Sequence, residues 1–358
     1  MPVLTSYNEK TVYDIDLNLP PQKRWHELID ETGDQIHHMY ADVQAVLDDL
    51  YEYVPSVLRP LTKGGGFLAE QLISLIAKWY GEEYVAEIKG MAKYAKLNFP
   101  RLLLANLTYD FTQLITARCP SACSSYSFNL PEGFPCLARN MDWALPETTG
   151  THTVLLRFYK GNRSYLSVGV VGLVGVLSAM REGYWAISLN QAPVPRGSIN
   201  LFGGMPALQH VRKVCDQFSG YRDVVARLQK TQTMSPFFTH VIGTKPSEHV
   251  VVTSFGSHFQ TRQVEQLPMV QTNHFVEPEF EYLNGEYDDS DEEILGPAYP
   301  SSESRYDALE RRFAKNTPKS LPAALDMLKR TPVTNMLTMQ SMAFCPANGE
   351  YKLRVQKL

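Results

Sequence analysis

The chain has 358 residues, of which 44% are hydrophobic and 20% are charged, with a formal net charge of −4. This length is enough for one large domain or two ordinary ones. The absence of a basic excess excludes a nucleic acid as partner. The sequence has no apolar run of about 18 residues, so no membrane-spanning helix is predicted. The first twenty residues lack the basic and apolar regions of a signal peptide. We therefore expect a cytoplasmic protein, or the mature form of a lysosomal or secreted one.

The N-terminal part predicts one strand followed by helices. Residues 13–19 alternate between apolar and polar side chains, which is typical of a half-buried strand, and two prolines end it. The segment from about 23 to 117 is predicted to be mainly helical. Within it, apolar residues recur at steps of three and four in 67–80, 82–95 and 100–117.

Beyond residue 118 the pattern changes to short strands separated by turns. The predicted strands are 123–129, 135–142, 152–159, 164–171, 184–190, 237–243, 248–255, 258–265, 268–273, 334–344 and 350–356, with helices at 204–217, 220–230, 302–314 and 320–329. An acidic stretch at 277–293 lacks the glycine-punctuated spacing of a calcium loop, so we interpret it as a solvated loop. Together these elements predict an α+β fold with two sheets and helices packed outside.

The segment 119–143 contains the residues best suited to chemistry. Five cysteines at irregular spacing form neither a disulfide framework nor a zinc set, and no histidine-based motif is present. Cys123 begins a predicted strand, and Arg139 and Asp142 follow on the returning strand of a hairpin. Opposite positions on paired strands lie about 5 Å apart, and a neighbouring cation favours the reactive thiolate. From the residues alone, a buried structural cysteine remains the alternative.

The spacing of these residues also resembles a known family. The sequence CSS at 123–125, followed sixteen residues after Cys123 by RNMD at 139–142, resembles the start of the mature β-subunit in the acid ceramidase and N-acylethanolamine-hydrolysing acid amidase family. That family belongs to the choloylglycine-hydrolase-like branch of the N-terminal-nucleophile hydrolases. Further similar segments are 16–28, 87–92, 104–110, 271–274 and 332–335.

The resemblance implies a four-layer αββα sandwich and a self-cleaving enzyme without a cofactor or metal. Residues 1–122 would form a helical pro-segment or α-subunit, and 123–358 the catalytic β-subunit. Cleavage before Cys123 would free an α-amine that serves as general base for the thiol. Arg139 and Asp142 would orient the nucleophile and its amine. The implied catalytic set is Cys123, Arg139, Asp142, Asn190, Asn273 and Arg305, in which the asparagines donate to the oxyanion and Arg305 completes the charge network.

The resemblance further implies an N-acylated lipid as substrate, transient contact with a membrane surface, and association of the two cleaved pieces. Ceramide, an N-acylethanolamine and a shorter N-acyl amino acid all remain open. The apolar faces of 67–80 and 102–114 would form either the acyl slot or an ordinary core. Gln191 replaces a family glutamate, which removes a charge on the amine side. Two alternatives remain: an uncleaved lipid-binding relative without turnover, which Pro120 before the predicted cut would favour, and an acyltransferase that uses the same thioester.

Overall fold

A computed structural model of the chain describes residues 3–7, 11–49, 51, 56, 59–62, 66–112, 123–143, 145–192, 200, 203–284 and 300–357. The predicted cleavage bond, Pro120 and residues 285–293 of the acidic stretch therefore lie outside the described residues.

The strands form two sheets, one of six and one of eight strands. In spatial order the first contains β1 (Val3–Tyr7), β14 (Glu350–Lys357), β13 (Thr338–Cys345), β4 (Pro135–Asp142), β3 (Ser124–Asn129) and β12 (Met269–Gln271). The second contains β11 (His258–Gln263), β10 (His249–Phe255), β9 (Phe237–Ile242), β8 (Trp185–Gln191), β7 (Ser178–Arg181), β6 (Arg163–Val170), β5 (Thr153–Lys160) and β2 (Val12–Asp16). Neighbouring strands are antiparallel except for β2, which runs parallel to β5.

Helices cover the outer face of each sheet. They are α1 (His26–Thr32), α2 (Gln35–Asp49), α3 (Arg59–Thr62), α4 (Phe67–Tyr80), α5 (Glu82–Tyr94), α6 (Phe99–Thr112), α7 (Ala207–Cys215), α8 (Tyr221–Leu228), α9 (Ser302–Lys315) and α10 (Leu321–Leu328). Side chains of α9 and α10 share a buried cluster with β3, β4 and β13. The helices α1 to α8 pack against the eight-stranded sheet, and a third cluster fills the space between the sheets. The predicted four-layer α+β sandwich is confirmed.

The central strands are buried on both faces, because a sheet lies on one side and helices on the other. Every residue of β4 is buried, so its sequence shows no alternation of apolar and polar residues. The same holds for most of β3, whose serines must find hydrogen-bond partners inside the sandwich. This enclosed position brings the polar side chains of the two strands into the centre of the molecule.

Most predicted elements are present, with a few differences. The first predicted strand ends at Asp16 rather than at residue 19, because the Asp16 carboxylate accepts from the backbone N–H of Asn18 at 2.8 Å and forms a turn. The strands β1 and β7 were not predicted. The helical region is divided into six helices within the described residues. None of the described helices is long and apolar enough to cross a membrane.

Candidate active site

Cys123 and Arg139 meet at the end of the β3–β4 pair. Arg139 lies opposite Ser125 in the antiparallel register, and Cys123, two residues before Ser125, is on the same face of the strand. The Arg139 Nη2 donates to the Cys123 Sγ over 3.0 Å. Both side chains are buried, with exposed fractions of 0% and 1%. The structure therefore brings together the thiol and the cation that the sequence pattern placed on facing strands.

Arg139 is held in place by neutral groups of the second sheet. Its Nη1 donates to Ser178 Oγ at 2.8 Å and to the Leu177 carbonyl at 3.3 Å, while Nη2 also donates to the Leu189 carbonyl. The fixed, planar guanidinium is thereby aimed at the sulfur. No ion pair joins it to a carboxylate among the described residues.

Arg305 approaches Cys123 from the helix side. It extends from α9, and its Nη1 donates to the Cys123 carbonyl at 2.7 Å and to Ser124 Oγ at 2.9 Å. Its Nη2 donates to Asn273 Oδ1 at 2.9 Å. Arg305 therefore connects the backbone of Cys123 with Asn273, and the acidic insertion between Asn273 and Arg305 in the sequence does not separate them in space.

Asn273 is oriented on both sides of its amide. Its Oδ1 accepts from Arg305, and its Nδ2 donates to the Gln191 carbonyl at 2.8 Å. A carboxamide nitrogen carries two hydrogens, and that carbonyl is its single acceptor among the described residues. One N–H of Asn273 therefore remains able to donate to a reacting group.

Asn190 lies close to the same point, but its donors are occupied. Its Nδ2 is 2.9 Å from the Gln271 carbonyl, 3.1 Å from the Thr272 carbonyl and 3.3 Å from Ser125 Oγ. In the uncut chain these contacts hold the Asn190 amide between the two sheets. Its role as an oxyanion donor stays a prediction.

Asp142 lies on the opposite face of β4 from Arg139. An odd separation along a strand turns the side chain away, so Asp142 faces the helix layer, where Asn335 Nδ2 donates to its Oδ2 at 2.7 Å. No described contact joins its carboxylate to the Cys123 side chain, which corrects the expectation that arginine and aspartate both meet the thiol. Burial raises the pKa of Asp142 to about 6, opposed by Arg305 and by hydrogen bonds from Thr338 and Asn335. Its Oδ1 accepts no hydrogen bond from any described residue.

Tyr109 lies beside the site on α6 and was not among the predicted site residues. Its ring packs edge-on against Trp143, with centroids 5.5 Å apart. Burial, with the nearby Cys123 sulfur, raises the pKa of its hydroxyl well above the usual range. Its backbone carbonyl accepts from Gln191 Nε2 at 3.0 Å. Tyr109 lies in the segment 104–110, whose similarity to the family was the one available signal.

Comparisons with known proteins find one matching family model and similar sequences. A sequence model described as the beta subunit of N-acylethanolamine-hydrolyzing acid amidase matches residues 11–68, which lie before Cys123. Acid ceramidase from Balaenoptera acutorostrata scammoni is 24% identical over 266 residues, covering 67% of this chain and 62% of that protein. The N-acylethanolamine-hydrolyzing acid amidase of Caenorhabditis elegans is also 24% identical, covering 71% of this chain and 70% of that protein.

A solved structure shows the same fold. The Caenorhabditis elegans N-acylethanolamine-hydrolyzing acid amidase ortholog superposes with a TM-score of 0.51 at 20% identity, covering 63% of this chain and 93% of the other. The chain spans 62% of the length of the acid ceramidases that it matches. The chain is therefore similar in sequence to acid ceramidases and to N-acylethanolamine-hydrolyzing acid amidases, and it shares the fold of the latter.

Proposed function

We propose that this protein is a cysteine amidohydrolase that cuts its own chain before Cys123 and then hydrolyses the amide bond of N-acylated lipids. The products are a fatty acid and an amine. The observation that carries the proposal is the 3.0 Å contact between Arg139 Nη2 and Cys123 Sγ at the start of a buried strand. A cation at this distance stabilises the negative charge that the sulfur carries when it acts as a nucleophile.

In the uncut chain the nitrogen of Cys123 is a peptide nitrogen and cannot act as a base. Cleavage converts it to an α-amine with a reference pKa near 8, which accepts the thiol proton. The thiolate then attacks the amide carbonyl, and the resulting oxyanion collapses as the amine leaves with a proton. Water hydrolyses the thioester and restores the thiol. The chemistry requires no histidine.

The remaining residues fit supporting roles in this scheme. Asn273 supplies the oxyanion donor through its remaining N–H, and loss of one such donor typically costs ~3–4 kcal/mol of transition-state stabilisation. Arg305 fixes the Cys123 carbonyl, and so sets where the new α-amine stands. Asp142 Oδ1, a buried acceptor, is available to receive a hydrogen bond from that amine once it is formed.

The proposed substrate class is supported by the relatives, whose names refer to ceramide and to N-acylethanolamines. A long acyl chain contributes about 0.8 kcal/mol of binding for each methylene buried in an apolar slot. On the side of the site that would bind the amine, Gln191 is neutral. Its backbone carbonyl accepts a hydrogen bond from Asn273 and so positions that residue. We propose that the head group is held by hydrogen bonds rather than by a carboxylate, which suits an alcohol-bearing amine.

Cleavage is tested by a denaturing gel with mass and N-terminal sequencing, after incubation at about pH 4.5 and pH 7. We expect pieces 1–122 and 123–358, the second beginning CSSYS, and no cleavage for Cys123→Ala. Cys215→Ala is the matched control, because Cys215 is equally buried but lies on α7. Fatty acid released from ceramide and from an N-acylethanolamine then tests turnover.

A wild-type chain that stays whole at every pH would contradict self-cleavage. If that chain still bound acylated lipids without releasing product, the lipid-binding alternative would replace the hydrolase proposal.

A further inference from the structure

A chain of hydrogen-bonded side chains runs between the two sheets, away from the active site. Ser125 Oγ is 3.2 Å from His240 Nδ1, and His240 Nε2 is 2.9 Å from Ser127 Oγ. Ser127 Oγ is 2.8 Å from His249 Nδ1, and His249 Nε2 is 3.0 Å from Asn129 Oδ1. The serines and Asn129 alternate along one face of β3, while the histidines come from β9 and β10. We call these five residues the serine–histidine chain.

The contacts of Asn129 fix the direction of every donor in the serine–histidine chain. Its Nδ2 donates to the Pro246 carbonyl at 3.0 Å, so its oxygen must face His249. An oxygen there requires His249 to carry its proton on Nε2, which leaves Nδ1 as an acceptor for the hydroxyl of Ser127. By the same reasoning, His240 donates from Nε2 to Ser127 and accepts at Nδ1 from Ser125.

Both imidazoles must be neutral for this pattern, since an imidazolium has no acceptor. Burial lowers the pKa of His240 well below its usual range and that of His249 to about 4. Each ring then has one donor and one acceptor, and the surroundings match both.

The inner end of the serine–histidine chain lies beside the nucleophile. Ser125 is opposite Arg139 and two residues after Cys123. Because its proton points to His240, its oxygen is open to Asn190, whose Nδ2 is 3.3 Å away. The Gln271 carbonyl, 3.2 Å from Ser125 Oγ, is the competing acceptor and already receives Asn190 at 2.9 Å.

We propose that His240, in its Nε2–H tautomer, is a positioning residue that sets the Ser125 hydroxyl and, through it, the Asn190 amide beside Cys123. Its catalytic consequence rests on the proposed function. His240 touches neither the sulfur nor a substrate. It acts by fixing which way the neighbouring hydroxyl donates.

The tautomers can be read directly on the wild-type protein by nitrogen-15 NMR of labelled histidine. We expect Nε2–H and an unprotonated Nδ1 for both His240 and His249, assigned with single histidine variants. An Nδ1–H signal from His240 would overturn the inference, whatever the protein catalyses.

Two substitutions separate the two ends of the His240 ring. In His240→Asn the amide oxygen can take the place of Nδ1 and accept from Ser125, whereas in His240→Gln the amide nitrogen takes the place of Nε2 and donates to Ser127. We expect His240→Asn to exceed His240→Gln by about tenfold in kcat and in the rate of self-cleavage, with similar KM and Tm. If both variants lost the same share of kcat and of the self-cleavage rate, in proportion to the fraction of each protein that is folded, His240 would have a purely structural role. If the wild type cuts itself but releases no fatty acid, the proposed function fails, while the tautomers and the two cleavage rates still decide this inference.

Discussion

At the scale of single residues, the unusual group is the guanidinium of Arg139. It is fully buried, and its hydrogen-bond partners are two backbone carbonyls, a hydroxyl and a thiol, all neutral. Removing a cation from water costs several kcal/mol unless a negative charge lies nearby. The Cys123 sulfur lies 3.0 Å from the guanidinium. Arg139 is therefore placed to stabilise negative charge that develops on this sulfur during a reaction.

Asp110 provides a prediction about pH at this scale. It is fully buried on α6, where its Oδ1 accepts from the Ala207 N–H at 3.0 Å, and burial raises its pKa from 3.8 to about 6. A carboxyl group with a raised folded-state pKa stabilises the fold below pH 3.8, and this stabilisation is lost as the pH rises through 6. The difference between the two pKa values corresponds to about 3 kcal/mol of folding free energy.

Asp110→Asn mimics the protonated form. We therefore expect its free energy of unfolding, relative to that of wild type, to rise by about 3 kcal/mol between pH 4 and pH 7. Urea unfolding of both proteins across this range measures the difference. A constant difference between the two proteins would show that Asp110 titrates normally in the folded state.

The sequence anticipated some of these residue contacts but not others. The pairing of Cys123 with Arg139 follows from hairpin spacing alone. The turned face of Asp142 also follows from its odd separation from Arg139 along the strand, so the expectation that both side chains meet the thiol was wrong. The occupied amide of Asn190 could not have been predicted, because Asn190 is on β8 and its three acceptors lie on β3 and at the end of β12, in the other sheet.

At the scale of elements, the contact between α5 and the turn Pro21–Lys23 depends on Gly90. A Cβ added at Gly90 would lie 2.1 Å from the Gln22 carbonyl oxygen and 2.4 Å from the Gln22 Cα. Both are backbone atoms, so the helix and the turn would have to move apart. This close approach explains why the family-like segment 87–92 carries a glycine inside a helix, where it otherwise weakens helical structure.

We expect Gly90→Ala to lower the free energy of unfolding by about 1–3 kcal/mol through overpacking. The control is Gly220→Ala, because a Cβ there meets no atom within 4 Å and the backbone φ is −80°. Chemical denaturation compares the two variants, and equal stabilities would contradict the packing argument.

Contact with a membrane surface stays a prediction, and the outer face of α4 is where we expect it. Phe67 and Leu68 are 73% and 65% exposed, and Leu75 and Trp79 are each 37% exposed, on a helix whose other face packs into the core. For 102–114 the described part fits the predicted alternative of an ordinary core, since Leu102, Leu103, Leu104 and Leu107 belong to the core.

We expect the double variant Phe67→Ser, Leu68→Ser to lose about tenfold or more in binding to phosphatidylserine-containing vesicles, since each apolar side chain contributes about 1.5–3 kcal/mol when buried. Turnover of a soluble short-chain N-acyl amide should stay unchanged. The control is Phe134→Ser, because Phe134 is also an exposed aromatic residue, with 38% of its surface accessible, but lies on the β3–β4 turn. Equal vesicle binding by wild type and the double variant would remove α4 as the contact surface.

The predicted elements also show where sequence patterns fail. Long amphipathic helices such as α4 and α5 were located within a residue or two, because a repeat of 3.6 persists over several turns. The four-residue β7 was missed, since so short a run carries no periodicity. The parallel pairing of β2 with β5 was not predicted either, as pairing partners distant in sequence leave no local pattern.

At the scale of the whole molecule, the two predicted pieces are joined by much more than the peptide bond before Cys123. The strand β2 of the first piece adds to the edge of the eight-stranded sheet, and β1 adds to the edge of the six-stranded one. Glu87 on α5 is fully buried and accepts from Arg212 Nη2 on α7 at 3.1 Å and from Arg24 Nη1 at 2.8 Å. The largest core cluster draws side chains from both pieces.

This arrangement predicts that the pieces stay together after cleavage and that Glu87 is central to their union. Cut wild-type protein should elute as one particle of the same size as the uncut chain, and separate only in denaturant. Glu87→Gln removes the carboxylate that Arg24 and Arg212 share, and breaking a buried pair costs up to about 3–5 kcal/mol. Arg24 keeps its pair with Glu83 and Arg212 its pair with Asp216, so we expect a cost below that limit. We therefore expect the cut variant to separate into pieces at markedly lower urea than the cut wild type. Asp48→Asn is the control, because Asp48 is 58% exposed and its pair with Arg101 contributes at most about 1 kcal/mol. If both variants separate at the same urea concentration as wild type, the union rests on the strand pairings and the apolar core rather than on the buried charges.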